Sequence, residues 1–427
     1  MFPKYIPLSG ADMLMLAFDR IQRRAAHRGN VCALALRFED LSAARDCAQR
    51  VQNQAAYHYL HSLRLRSGVL RSWWSPARKK RSRSGIEELA LLKPGDLTTF
   101  IAHADCRPRR DPPFRMVLIQ SAGHEGTLLF FWHHALLDAR GAEYLISSLL
   151  AAAPVDPEKL WRPQKRSWSF SDALKMKRHI FEAAAFPISN LTTPGKPLRK
   201  FRYHRIHFSV EETKLIDSRC RNLGAEVFKS SVYLSAAARG ATAVLAERGR
   251  AAHPLHLVVP HNLRRRKKDA FLSNQVSFLF YRIAAKRLSS MELGIGHLID
   301  ASTAVIAANL HHACVGMLNL AAWLPSSQVE KLLRRPSRGE LATFYFSDTG
   351  ELDLGLASGL LRDAVHYPPH FAPPGFTTVF TRFAGRLTVM IVAAESTLSE
   401  SELKLLERSL RIDLTPKECS LDRASTN

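Results

Sequence analysis

The stretch FFWHHALLDARG, residues 130–141, ends an unbroken apolar run in two adjacent histidines, and an aspartate follows the second histidine by four positions. A short apolar run of this kind predicts a buried strand, which would hold His133 and His134 at its end with little freedom to move. Neutral imidazole is the side chain best suited to take a proton from a hydroxyl or amine near pH 7. We therefore interpret His134 as a candidate general base and give His133 a supporting role.

Asp138 lies four residues beyond His134, just before a helix predicted over residues 142–150. At this position we expect its carboxylate to cap the helix or hold the loop rather than to react. The pattern HH-x-x-x-D offers one well-spaced pair and no third ligand nearby, so no metal site is expected. A second pair, His311 and His312, has no aspartate four residues later and is interpreted as structural.

The composition is that of a globular protein, with 46% hydrophobic and 23% charged residues, and a chain of this length favours two domains or subdomains. None of the six cysteines lies in a C-x-x-C pair, so we expect reduced thiols in a cytoplasmic protein. The N-terminus lacks a secretory pattern. The uncharged stretch 301–329 is interrupted by polar residues, which favours a buried or interfacial helix over a membrane span.

Lysine and arginine outnumber aspartate and glutamate by 61 to 38, which gives a net charge of +23. The bases form many short clusters rather than one stripe, at 78–81, 107–110, 196–205 and 264–268. Dispersed clusters predict a generally cationic surface. Its partner is expected to be an anionic membrane surface to which the protein binds peripherally, an acidic carrier protein or a phosphorylated small molecule. The alternative is that the basic residues only solvate the protein surface. No basic-aromatic recognition motif is present, so no nucleic-acid partner is expected.

Helical and strand patterns alternate through both halves of the chain. They predict an N-terminal subdomain over 1–165, a proline-rich crossover linker over 166–200 and a C-terminal subdomain over 201–427. In the first half we expect helices over 12–28 and 42–65, a strand over 31–38, and a hairpin of strands over 114–120 and 127–132. In the second half we expect helices over 211–221, 230–247 and 399–410, and strands over 201–210, 255–260, 274–283, 342–350, 375–383 and 386–393.

The segment HHALLDA, residues 133–139, resembles the HHxxxDG motif of the coenzyme A-dependent acyltransferase superfamily. That superfamily includes chloramphenicol acetyltransferase-like enzymes, peptide-synthetase condensation domains and bacterial wax ester synthases. His133, His134 and Asp138 match the motif, and Ala139 stands where glycine is usual.

Other segments along nearly the whole chain are similar to the same group. PLSGAD, residues 7–12, resembles the PLS-x-x-D opening of wax ester synthases. The segment 274–277 resembles their GN-x-V-S strand, with Ser273 in place of the glycine. FYFSDTGEL, residues 344–352, resembles their SN-x-G segment, with Asp348 in place of asparagine. The stretch 373–410 is similar to their closing strands and helix.

The resemblance implies an α+β fold of two chloramphenicol acetyltransferase-like subdomains in a V-shape, with the active-site tunnel between them. It implies transfer of an acyl group from acyl-CoA or an acyl-carrier protein to a hydroxyl or amine acceptor, with His134 as general base and no bound cofactor. It further implies that Asp138 pairs with an arginine across the junction; Arg264 is the candidate and Arg265 the alternate. Ser347 and Asp348 are candidates for the oxyanion site or the junction.

Two alternatives remain open. An ionised Asp348 would repel an oxyanion, so a catalytically silent protein that binds acyl chains or a carrier protein is the second interpretation. Asp348, Thr349 and Gly350 also form the D-T-G triplet of aspartic proteases. That chemistry needs two converging triplets, and the chain has no second one.

Overall fold

The structure of the protein, a computed structural model, describes residues 1–68, 71–77, 87–90, 96–120, 125–151, 153–162, 169–192, 197–198, 200–250, 253–264, 270–334 and 341–415. Helices and sheets are mixed, as the α+β prediction requires. The first half contains, in order, β1 (Ile6–Pro7), α1 (Gly10–Ala26), β2 (Val31–Phe38), α2 (Leu41–Asn53), α3 (Ala55–Ser62), β3 (Leu63–Ser67), β4 (Ser72–Pro76), β5 (Glu87–Ala90), α4 (Asp96–His103), β6 (Phe114–Gln120), β7 (Gly126–His133), α5 (Ala139–Leu150), α6 (Pro157–Leu160) and α7 (Phe170–Ala183).

The second half continues the alternation of helices and strands. It contains β8 (Phe201–His207), α8 (Val210–Asn222), α9 (Lys229–Glu247), β9 (Leu255–Asn262), β10 (Val276–Ile283), α10 (Met291–Ala307), α11 (Leu310–Ala321), α12 (Ser326–Arg334), β11 (Phe344–Glu351), β12 (Leu361–Tyr367), β13 (Phe376–Phe383), β14 (Arg386–Ala394) and α13 (Glu400–Leu414). Short 3₁₀ helices lie at Ala285–Leu288 and Gly355–Leu360.

A five-stranded sheet in the order β12-β2-β7-β6-β5 carries the histidine motif at the end of β7. The predicted hairpin is confirmed, because β6 and β7 pair antiparallel, with Phe114 opposite Trp132. The edge strand β12 comes from the second half of the chain and pairs antiparallel with β2. Strand β12 was not predicted from the sequence, since its partner lies more than three hundred residues earlier in the chain.

The second large sheet has the order β10-β9-β11-β13-β14-β8. Strand β11 runs parallel to both of its neighbours, and the remaining pairs are antiparallel. Alternate residues of β10 are buried, in the pattern expected of a strand with two different faces. The more exposed face of the β9–β10 pair, which carries Val276 and Phe278, looks toward the site described below.

The prediction of a single helix over 42–65 is wrong. The chain leaves the helical conformation at Gln54, which has extended backbone angles, and α3 ends at Ser62. Residues 63–67 form β3 instead, and Leu63 and Leu65 pair with Pro76 and Trp74 of β4. The alternation of leucine and arginine in LRLR has the period of two that is typical of a strand. Pairing with β4 therefore favours a strand over a continuation of the helix.

The uncharged stretch 301–329 forms parts of α10, α11 and α12 rather than one helix. Among the described residues, no individual helix has the length and apolar character needed to cross a membrane. In the described part of the chain, α10 and α11 taken together meet those criteria, and they are bent by 63° at their junction.

Helix α1 begins against α11 with almost no space between the two backbones. A Cβ atom on Gly10 would lie 2.2 Å from both the carbonyl carbon and the carbonyl oxygen of Leu318. The side chain of Ser9 caps α1 by accepting from the backbone N–H of Asp12 at 3.1 Å. Because backbone atoms cannot move aside as a side-chain end can, position 10 requires glycine.

We predict that Gly10→Ala lowers the free energy of unfolding by about 1–3 kcal/mol, because overpacking forces α1 away from α11. Gly296→Ala in α10 is the matched control, since a Cβ there meets nothing within 4 Å and helix propensity favours alanine by up to about 1 kcal/mol. Urea unfolding followed by circular dichroism measures both variants. Equal stability of the two variants would contradict this packing.

Candidate active site

His134 follows the last residue of β7 and faces a large cavity. Its backbone N–H donates to the carbonyl of Asn30 at 2.8 Å, which fixes the chain as it leaves the sheet. The cavity has a volume of about 740 Å³ and is bordered by His134, Asp138 and elements of both halves of the chain. This volume lies within the range of small-molecule sites.

The hydrogen bonds of Asn274 define which ring nitrogen of His134 carries the proton. The amide nitrogen of Asn274 donates to the backbone carbonyl of His134 at 2.7 Å and to Oδ1 of Asp12 at 2.7 Å. A carbonyl can only accept, so the amide oxygen is the atom that lies 3.0 Å from Nδ1 of His134. Nδ1 therefore carries the proton, and Nε2 keeps a lone pair and has no hydrogen-bond partner among the described residues.

Burial lowers the pKa of His134, against smaller opposing effects of Asp138 and Asn274. A cation is less well solvated in this cavity than in water, so the neutral ring is favoured. The neutral ring with Nε2 unprotonated is the state that a general base requires.

Asp12 is the residue that connects the start of α1 to the histidine. Its carboxylate accepts, at 2.7 Å in each case, from the backbone N–H of Ser9, the hydroxyl of Ser273, and both the backbone N–H and the amide of Asn274. Burial raises the pKa of Asp12, and these hydrogen bonds oppose the rise. The PLS-x-x-D segment, which the sequence analysis used only as a resemblance, therefore holds the partner of His134 in place.

His133 is fully buried, and it is not among the described residues that border the cavity. Its Nδ1 accepts from the N–H of Ala135 at 3.2 Å, and its Nε2 lies 3.2 Å from Oδ1 of Asp19 in α1. Burial raises the pKa of Asp19, but the contact with His133 and the charge of Arg23 outweigh it and lower the pKa to about 2. His133 thus fixes the end of β7 against α1.

Asp138 both caps α5 and forms an ion pair with Arg264 from the second half. Its Oδ1 accepts from the N–H of Gly141 at 2.8 Å, and its Oδ2 accepts from the N–H of Gln275 at 2.8 Å. Nη1 of Arg264 lies 2.5 Å from both carboxylate oxygens. The two residues are 5% and 8% exposed, so the pair is shielded from water. Arg265 lies outside the described residues.

The same guanidinium also binds the loop that leads to Asn274. Nη2 of Arg264 donates to the carbonyls of Phe271 and Ser273 at 3.1 and 3.0 Å. Ser273 has a φ of 74°, a left-handed conformation that favours glycine, which is the residue usual here in the similar sequences. Its hydroxyl bond to Asp12 is an interaction that glycine would lack.

The glycine that this motif needs for packing is Gly141, and not residue 139. A Cβ on Gly141 would lie 2.3 Å from the carbonyl oxygen of Phe271, which would separate Asp138 from Arg264. Ala139 is the first residue of α5, where alanine is favourable.

Ser347 and Asp348 lie on β11 and border the same cavity as His134. Both oxygens of Asp348 are occupied, because Oδ2 accepts from the hydroxyl of Ser230 and Oδ1 accepts from the N–H of Gly350 at 2.8 Å. The hydroxyl of Ser347 has no partner among the described residues. Arg140, which the sequence analysis missed, also lines the cavity and donates to the carbonyl of Glu351 at 2.9 Å.

Most of the cavity wall is apolar. Along β9 and β10, alternate residues face it from Asn262 to His256, a distance of about 20 Å at the usual rise of a strand. Helices α1, α7, α11 and α12 supply the remaining apolar wall. Within the described ranges, no three or more His, Cys, Asp or Glu side chains are grouped so that they could hold a metal ion.

Comparison with solved structures identifies the class of fold. A trichothecene 15-O-acetyltransferase from Fusarium sporotrichioides matches with a TM-score of 0.69 and 12% identity, over 96% of this chain and 95% of that one. The first condensation domain of the CDA synthetase gives 0.67 and 14%, over 96% of each chain. The wax ester synthase/diacylglycerol acyltransferase from Marinobacter aquaeolei gives 0.60 and 14%, over 96% and 98%.

The chain therefore has the fold of coenzyme A-dependent acyltransferases and condensation domains. The predicted fold class is confirmed. No protein-family model matches the sequence, and a search of curated proteins gives no match.

We predict that Asp138→Asn and Arg264→Gln each lower the free energy of unfolding by about 3–5 kcal/mol, because each leaves one buried charge without its partner. Asparagine keeps one oxygen for the cap of α5, so Asp138→Asn removes the charge and the acceptor for Gln275 but leaves the cap. The double variant should be less destabilised than the sum of the single variants, and the difference is the coupling energy.

The control cycle uses Glu400 and Lys404, an exposed pair 3.2 Å apart, for which about 0.5 kcal/mol or less is expected. Urea unfolding measures all variants. Additive effects at Asp138 and Arg264 would show that the aspartate acts only as a cap.

Proposed function

We propose that this protein transfers an acyl group from a thioester, carried by coenzyme A or an acyl-carrier protein, to a hydroxyl or amine acceptor. The observation that carries the proposal is the bond between Nδ1 of His134 and Asn274. It leaves Nε2 unprotonated at the wall of a cavity large enough for substrates. The acyltransferase-type fold supports the same chemistry.

In the proposed reaction, Nε2 of His134 takes the proton of the acceptor as its oxygen or nitrogen attacks the thioester carbonyl. The tetrahedral intermediate then collapses, the carbon–sulfur bond breaks, and the proton on Nε2 passes to the leaving thiolate. The products are the ester or amide and a free thiol, and His134 returns to its neutral form. No bond to the protein forms at any stage.

The chain offers Ser347 as a donor to the oxyanion, since its hydroxyl borders the cavity and has no other described partner. Asp348 cannot donate when ionised, and its oxygens are held by Ser230 and Gly350. Asp138 and Arg264 are positioning residues, because they fix the loops on both sides of His134 without donating to the reacting atoms.

A second candidate is a catalytically silent protein that binds acyl chains or a carrier protein. The carboxylate of Asp348 at the cavity wall favours it, because a negative charge there opposes an oxyanion. A thioester assay separates the two candidates, since only an acyltransferase releases thiol faster than the uncatalysed hydrolysis of the thioester does.

We predict that His134→Ala lowers the rate by about a hundredfold to ten-thousandfold while the fold is retained, because a positioned base contributes that much. The assay follows release of free thiol from a panel of acyl thioesters with alcohols and amines. His312→Ala, an exposed residue on α11, is the control and should retain full activity. An undiminished rate in His134→Ala would rule out its role as base, and an inactive parent protein would favour the silent binder.

The pH dependence of kcat/KM tests the environment of His134. Because burial lowers its pKa, the base stays neutral as the pH falls, and the acid limb should lie below the ordinary value of about 6.5. The hydrogen bond that Nδ1 of His134 donates to Asn274 raises that pKa, so Asn274→Ala should move the limb to still lower pH. The variant should also reduce kcat more than it changes KM. An acid limb above about 6.5 in the parent would contradict the proposal.

A further inference from the structure

Five large apolar residues border the cavity and are at the same time exposed to solvent. They are Phe170, Leu174, Phe181, Leu324 and Leu332, with exposed fractions of 73%, 57%, 45%, 38% and 48%. A side chain that lines a cavity and is also open to water lies at its opening, so we call these five residues the mouth patch. Clustered exposed apolar side chains of this kind mark interaction surfaces.

Helix α7 supplies most of the mouth patch. Phe170, Leu174 and Phe181 follow one another at helical spacing along one side, and Lys177 completes the stripe. The buried residues Met176 and Ala183 fix another side of the helix against the protein. The helix therefore has two apolar sides. The side with Met176 and Ala183 packs against the protein, and the side with Phe170, Leu174 and Phe181 is exposed.

Exposed bases flank the mouth patch. Helix α7 carries Lys175, Lys177 and Arg178 against Asp172 and Glu182, and α12 carries Lys331 and Arg334 against Glu330. Glu330 is turned inward, with 3% exposure, and accepts from Arg24 at 2.5 Å. The surface around the opening is therefore positive. Apolar side chains flanked by lysine and arginine are typical of helices that lie in the interface of an anionic bilayer.

We propose that the mouth patch docks onto an anionic lipid surface and that lipophilic substrate enters the cavity from the bilayer. The entry of substrate from the bilayer rests on the proposed function, whereas the docking does not. The apolar wall behind the opening runs for about 20 Å, comparable with the roughly 15 Å of one leaflet's hydrocarbon. An acyl chain could thus leave the bilayer and reach the cavity without exposing its surface to water, which is costly.

Charge complementarity alone would also suit an acidic carrier protein. The mouth patch favours the bilayer, because its largest exposed side chains are apolar and would stay in water beside an acidic protein surface. Lipid docking buries them. An acidic protein partner and a second copy of this chain are therefore outcomes that the experiment must separate.

The experiment measures co-sedimentation of the full chain with vesicles of phosphatidylcholine alone and of equimolar phosphatidylcholine and phosphatidylglycerol. The test variant is Phe170→Ser with Leu174→Ser. The control is Leu215→Ser with Val227→Ser, which removes side chains that are 52% and 89% exposed and lie outside the cavity. Circular dichroism verifies that both double variants are folded.

We expect the parent and the control to bind the anionic vesicles, and the test variant to bind at least about tenfold more weakly, because two apolar side chains no longer enter the interface. Binding should weaken as salt rises above about 0.15 M, where charges are screened beyond roughly 8 Å. His134→Ala should bind as the parent does. Failure of the thioester assay would then remove the proposed function and leave the docking intact.

Three results would overturn the docking. The first is absence of binding to anionic vesicles by the parent. The second is equal weakening in the test and control variants. The third is that the parent binds an acidic carrier protein, or forms a dimer by size-exclusion chromatography with light scattering, and that Phe170→Ser with Leu174→Ser abolishes this contact while vesicle binding is unchanged.

Discussion

Two opposite charges, Asp138 and Arg264, meet out of contact with water, and the geometry of the site depends on them. Each would be costly to bury alone, but the carboxylate also accepts from two backbone N–H groups and the guanidinium donates to two carbonyls. The pair thereby fixes the start of α5 and the loop 270–275 at once. That loop carries Asn274, and Asn274 orients the ring of His134. This buried ion pair thus decides the direction in which the ring of His134 points.

The hydrogen bonds around Asp12 complete this arrangement from a third direction. Asp12 lies in the first turn of α1 and binds Asn274 through two donors, while His133 ties the end of β7 to Asp19 in the same helix. The histidine is therefore held by segments that are far apart in sequence but rigid in the fold. A side chain held in this way has little freedom left to lose, which is what the preorganisation of a functional group requires.

The cavity depends on the way in which the halves of the chain are joined. Strand β12 extends the first sheet from the second half, and α7, at the end of the first half, packs against α11 beside the opening. The apolar wall and the basic rim follow from different segments that only this topology brings together. The lining of the cavity is consequently set by this topology, whereas the position of His134 is set by the short motif after β7.

The sequence by itself determined the elements and motifs that rest on local pattern. The apolar run before His133 predicted β7, and the doubled histidine identified the candidate base. Resemblance identified the fold class and selected Arg264 as the candidate partner of Asp138. Tertiary structure decided the rest. Leu63 and Leu65 form a strand because their backbone groups pair with β4. The hydrogen bond between Asn274 and Asp12 joins residues that are 262 positions apart. Periodicity reports the neighbours of a residue along the chain, whereas these contacts arise only when separate elements pack together.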